Sequence, residues 1–148
     1  LLDNEKLEPG YVLLIPGASA AHLEKRWPYY RELALLLNEN GFRTVTVPGP
    51  DEMELCREIP GKMLAPPGSF HDFFTLAGIA AHARFVIGND TGPTHIAAHT
   101  GIPGLALFSS HAPPERSGIQ HTGFSVMQSA KLEKLTVESV WREIERIL

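Results

Sequence analysis

Arg84-Phe85-Val86-Ile87-Gly88-Asn89-Asp90-Thr91-Gly92-Pro93-Thr94-His95-Ile96-Ala97-Ala98 changes character partway along its length. Arg84 to Ile87 is an apolar run rich in β-branched and aromatic residues, which reads as a buried strand broken by Gly88. Thr94 to Thr100 takes up helical spacing and stops at Gly101. A strand that feeds a helix through a turn rich in glycine and threonine is the repeating unit of a parallel sheet.

The same alternation extends outward on both sides. Upstream, Tyr11 to Ile15 reads as a buried strand ended by Pro16-Gly17. Trp27 to Asn40 reads as a helix, with Pro28 in its first turn and Gly41 as its stop. Phe42 to Val47 alternates and is β-branched, a second strand. Asp51 to Ile59 is a short helix, Lys62 to Ala65 a third strand and Phe70 to Ala83 a helix. Downstream, Gly104 to Phe108 is a fifth strand, and Ser109 to Gly123 a long loop in which Ser109 and Ser110 are loop residues. Phe124 to Met127 is a last strand, and Thr136 to Leu148 a closing amphipathic helix capped by Thr136. The expectation is one α/β domain over residues 1–148: a parallel sheet with helices on both faces. Ligands of such sheets bind beyond the carboxyl ends of the strands.

Composition agrees with a packed domain. The chain has 148 residues, 43% of them hydrophobic and 20% charged, enough apolar side chain for a core. Thirteen basic residues against 17 acidic ones, a net charge of −4, argue against a nucleic-acid surface. The single cysteine, Cys56, excludes an intrachain disulfide and a cysteine zinc cluster. No apolar run approaches the ~20 residues of a membrane helix, so no transmembrane segment is expected. No secretory signal is visible. The opening residue is Leu1 rather than Met, which is expected of a fragment and equally of a trimmed chain.

Three segments after strands carry the candidate chemistry. The first holds Gly17, Ser19, Lys25 and Arg26: small residues, a hydroxyl and two cations just before a helix, as a diphosphate cradle requires. An ordinary β-α loop with two solvated cations has the same composition. It matches neither the Walker A loop nor G-x-G-x-x-G. The second is Pro48-Gly49-Pro50-Asp51-Glu52, where a carboxylate can accept hydrogen bonds from ribose hydroxyls or merely favour the next helix dipole. The third is Gly88 to His95, where Asp90, Thr91, Thr94 and His95 crowd a helix start and Gly92 permits a tight turn or a close backbone approach. Asp90, Thr91 or Thr94 acting only as caps is the plain alternative. His95 and His99 stand four apart, but no H-E-x-x-H pattern or third ligand accompanies them, so no metal site is expected.

Together, Pro16-Gly17-Ala18-Ser19 with Lys25-Arg26-Trp27-Pro28, then Pro48 to Glu52, then Gly88 to Ala98 resemble glycosyltransferase family 9, whose best-known members are lipopolysaccharide core heptosyltransferases. The D-T-G-x-x-H stretch is the specific part, and the resemblance runs from about Tyr11 to the end. It implies a Rossmann-like fold, the C-terminal donor-binding domain of a two-domain GT-B enzyme, with the N-terminal acceptor domain and its general base absent. It also implies transfer of heptose from ADP-heptose to a lipopolysaccharide core acceptor, inverting and without metal or other cofactor, in the cytoplasm. Any peripheral membrane association of the parent enzyme depends mainly on the missing half.

Carried over by position, Ser19 and Lys25 contact the diphosphate. Glu52 binds the ribose, with Asp51 as the alternative. Asp90 engages the sugar or organises the loop, Thr91 and Gly92 hold phosphate oxygens, and His95 lies close to the donor. Lys25 and Asp90 are the candidates for leaving-group and donor stabilisation. The chain departs from the family at Ala18, Ala20 and Ala21, where a second hydroxyl near Ser19 is usual, and at Ser109, where glycine is frequent. A transferase using another sugar nucleotide, and a non-catalytic nucleotide-binding module, are the competing readings.

Overall fold

The computed structural model describes residues 8–17, 26–49, 52–64, 73–109 and 124–148. In these segments six strands form one parallel sheet: β1 (Val12–Ile15), β2 (Thr44–Thr46), β3 (Lys62–Met63), β4 (Phe85–Asn89), β5 (Gly104–Ser109) and β6 (Ser125–Ser129). The helices are α1 (Tyr30–Glu39), α2 (Met53–Arg57), α3 (Phe73–Ala81), α4 (Gly92–Ala98) and α5 (Val137–Ile147), with a 3₁₀ turn at Leu132–Lys134.

Alternation along the strands divides the core in two. Val12, Leu14, Phe85, Ile87, Leu105 and Leu107 pack with Leu33 and Leu37 of α1 and Val140 and Ile144 of α5. Leu13, Ile15, Val86, Ala106 and Phe108 pack with Leu76 and Ile79 of α3 and Ala97 and Ala98 of α4. Burial on both faces is what allows these strands to be almost continuously apolar. The Rossmann-like α/β fold expected from the sequence is therefore present.

Helix ends follow local chemistry. Gly41, at φ +86°, ends α1 in a Schellman motif, with Phe42 N–H donating to Leu37 O at 2.9 Å and Gly41 N–H to Asn38 O at 3.1 Å. Thr136 caps α5 by accepting from Ser139 N–H at 3.1 Å.

Four local expectations need correction. β4 is not broken at Gly88: it continues to Asn89, and Gly88 is in register with Ile15 on β1 and Ala106 on β5. A glycine breaks a strand only if its ladder bonds are lost, and here both neighbours supply them. The following helix starts at Gly92 rather than Thr94, because Thr91 is its extended N-cap. Helix α1 starts at Tyr30 rather than Trp27, because Tyr29, with non-helical backbone angles, is its N-cap. Ser109 is not a loop residue but the last residue of β5, in register with Ser129 and buried.

The strand order is β3-β2-β1-β4-β5-β6. The chain runs outward from β1 in one direction and then, from β4, in the other. The two adjacent strands at this reversal leave a crevice beyond their carboxyl ends, where α/β sheets hold ligands.

Candidate donor site at the strand reversal

β1 leads into Pro16-Gly17 and β4, ending at Asn89, into Asp90-Thr91, so the first and third candidate segments lie side by side at the reversal. Their junction is the Asn89 side chain, which is fully buried. Its Nδ2 donates to Pro16 O at 2.9 Å and to Gly17 O at 3.3 Å. Its Oδ1 accepts from Trp27 N–H at 3.2 Å and Tyr30 Oη at 3.0 Å. Burial pushes the Tyr30 hydroxyl well above its ordinary pKa, so it remains a donor. Trp27 is locked further by its indole N–H donating to Leu135 O at 2.8 Å and by edge contacts with Tyr29 and Tyr30.

Glu52 belongs to the same edge. It is the backbone N-cap of α2, but its carboxylate turns away from the helix and accepts from Gly49 N–H at 2.8 Å. A Cβ on Gly17 would fall on that carboxylate, so the absence of a side chain at 17 makes the approach possible. This is neither pure dipole compensation nor helix capping, the roles an acidic residue here would ordinarily fill. Beneath it, burial, followed by the nearby Glu52 charge, pushes the Cys56 thiol up to about 12, opposed by a Thr46 hydrogen bond and the Arg26 charge.

At the start of α4, His95 Nε2 lies 3.0 Å from Asp90 Oδ1, with 25% and 12% of the two side chains accessible. A carboxylate oxygen accepts, so His95 Nε2–H is the donor of this contact. The Thr91 hydroxyl meets the Thr94 hydroxyl at 3.2 Å and makes no capping bond. The first-turn amides of α4 are therefore not capped by the N-cap side chain, and Pro93 occupies a position where its missing N–H costs nothing. Gly92 does not serve a left-handed turn: its φ is outside that region, and among the described residues a Cβ there would meet nothing. His99 is exposed, its Nδ1 hydrogen-bonded to His95 O at 2.7 Å.

Glu52, Asp90, Thr91, Gly92 and His95 thus come together around the carboxyl ends of the central strands. Ser19, Lys25, Asp51 and Ser110 lie outside the described residues. Among the described residues no group of three or more His, Cys, Asp or Glu gathers as a metal site would require, and no helix is long and apolar enough to cross a membrane. Sequence reasoning gave Asn89 no role. The available signal was a polar residue ending an apolar strand, which must find partners if buried.

Comparison with known proteins places this geometry. Residues 2–141 match the model of glycosyltransferase family 9 (heptosyltransferase). Lipopolysaccharide heptosyltransferase 1 of Pseudomonas aeruginosa is 34% identical over 122 residues, covering 76% of this chain and 34% of the relative. Lipopolysaccharide heptosyltransferase 3 of Escherichia coli is 29% identical over 120 residues, covering 74% and 34%. The chain thus spans about a third of the length of these curated relatives. Among solved structures, E. coli heptosyltransferase WaaC with ADP-2-deoxy-2-fluoro heptose superposes with a TM-score of 0.77 at 26% identity, over 95% of this chain and 44% of that one. E. coli ADP-heptose lps heptosyltransferase II gives 0.82 at 23% identity, over 98% and 49%, a likeness of fold. With its sheet order, its Asp90–His95 helix start and a family match across most of its length, the chain belongs to glycosyltransferase family 9, the heptosyltransferase family.

Proposed function

We propose that this chain binds the sugar-nucleotide donor of a heptosyltransferase, ADP-heptose, for transfer to a lipopolysaccharide core acceptor. The observation that carries the reading is the convergence of Asp90, His95 and Glu52 at the strand reversal of a family 9 chain. The solved relative that holds an ADP-heptose analogue supports the choice of donor.

In this reading Glu52 accepts hydrogen bonds from the ribose, Ser19, Lys25, Thr91 and Gly92 hold the diphosphate, and Asp90 engages the sugar with His95 beside it. The space that the described residues leave open at Gly92 lets phosphate oxygens come close to backbone N–H groups. An acceptor hydroxyl attacks the anomeric carbon as its bond to the phosphate oxygen breaks, so the configuration inverts. ADP leaves with growing negative charge. Lys25 and the first-turn amides of α4, which the Thr91 side chain does not cap, stabilise that charge at fixed geometry, without a metal or another cofactor. The general base and the acceptor site belong to a second domain outside this chain, so the chain alone binds nucleotide weakly and transfers little. We place the reaction in the cytoplasm.

Calorimetric titration with ADP and UDP, on the wild-type chain and on Lys25→Ala and Asp90→Ala, tests this. Saturable ADP binding, weaker for UDP and weakened by Lys25→Ala, is the expected result. Preference for UDP would point to another sugar nucleotide. Binding indifferent to both substitutions would point to a non-catalytic module, and no binding of either nucleotide would overturn the donor reading for this chain.

A further inference from the structure

We propose that Asn89 is a positioning residue of the donor site: its buried side chain pins both ends of the segment that joins β1 to α1 against the strand end that carries Asp90. The inference rests on the donor reading above.

A carboxamide has two N–H donors and one oxygen with two lone pairs. Asn89 uses all of them, on Pro16 O, Gly17 O, Trp27 N–H and Tyr30 Oη. The orientation of the amide is determined by its partners. Two are carbonyls that can only accept, and one is an amide that can only donate, so the flipped form would lose three bonds. Gly17 and Trp27 bracket residues 18–26, which include Ser19 and Lys25. The next residue along the chain is Asp90. One side chain therefore ties the diphosphate-side segment to the sugar-side segment.

Core packing on this strand face does not by itself call for asparagine. Phe85 and Ile87, on the same face of the same strand, meet the core with apolar side chains. What Asn89 holds is backbone that flanks the crevice. Removing it would leave two carbonyls and one amide of the crevice wall unpaired. Aspartate would keep the size and both accepting bonds but turn a carboxylate oxygen toward two carbonyls.

The test uses the 148-residue chain, amide-resolved NMR and ADP as the probe. Asn89→Asp should shift the Gly17 and Trp27 amide resonances before ADP is added and weaken ADP binding by at least about tenfold, the loss of more than one buried hydrogen bond. Tyr11→Phe is the stability control, because it removes a buried hydrogen bond to Ile79 O (2.5 Å) at the amino end of β1. It should lower the melting temperature and leave ADP affinity within about twofold. An Asn89→Asp chain that melts cooperatively and binds ADP within about twofold of wild type overturns the proposal. If that variant does not fold, Tyr30→Phe loosens one of the four bonds and should weaken ADP by about two- to threefold; unchanged affinity overturns the proposal equally. A wild-type chain that binds no ADP overturns this inference together with the donor reading, whereas wild-type binding with indifferent variants overturns this inference alone.

Discussion

Thr94 of α4 fills the space that a side chain at Gly88 would occupy: a Cβ built on Gly88 lands on the Thr94 hydroxyl and also crowds Ile15. Both residues are fully or nearly fully enclosed, Thr94 at 0% exposure. This contact sets how closely α4, and with it the Asp90–His95 pair, approaches the end of β4.

Gly88→Ala should therefore destabilise the chain by about 1–3 kcal/mol, the usual range for overpacking a tight core contact. Urea denaturation reads the change. Thr94→Ala removes both Thr94 atoms that the new Cβ meets, Oγ1 and Cγ2. The Gly88→Ala/Thr94→Ala pair should be more stable than the sum of its single changes, which a double-mutant cycle measures. Strict additivity would mean that the α4 contact is not what Gly88 protects.

Glu52 makes a prediction that its bond to Gly49 N–H does not by itself require. If its carboxylate binds ribose, Glu52→Ala should weaken ADP by about tenfold, the worth of a hydrogen bond to a charged group. The same substitution should barely affect 2′,3′-dideoxy-ADP, which lacks the hydroxyls. Titration of both nucleotides on both proteins decides it. Equal losses for the two nucleotides would leave Glu52 a purely structural partner of Gly17 and Gly49.

Alkaline pH should unfold the chain through its buried acids, Tyr30 together with Cys56 and Tyr11. Burial raises the Cys56 thiol from 9.0 to about 12 and the Tyr11 hydroxyl from 10.0 to about 12, the latter opposed by Arg43. In both cases the unfolded chain gives up its proton first, so rising pH favours unfolding. The contribution is fully present below pH 9.0 for Cys56 and 10.0 for Tyr11, and is lost as pH climbs toward about 12. Denaturant midpoints measured across this window should fall, and Cys56→Ala should flatten part of the fall. An unchanged slope in that variant would remove Cys56 from the account.

Much of the architecture is local and was legible in the sequence. Apolar runs with β-branched residues marked the strands, because a strand buried on both faces needs them. Gly41 and Gly101, both at φ +86°, marked helix ends, because only glycine enters that region at little cost. Thr136 announced its cap. The D-T-G-x-x-H stretch located Asp90 and His95 together, since a helix start brings such close neighbours into reach.

Tertiary structure decided what those signals could not. Asn89 finds its partners 59 to 73 positions away, and only the reversal of strand order between β1 and β4 brings them near. Gly88 looked like a strand breaker because glycine weakens an isolated strand. Bonded in register on both sides, it instead makes room for Thr94. Glu52 turned toward Gly17 rather than capping α2 for the same kind of reason. Propensity and periodicity report a residue's neighbours along the chain, whereas the partners of a buried polar group depend on which strand ends the topology sets side by side.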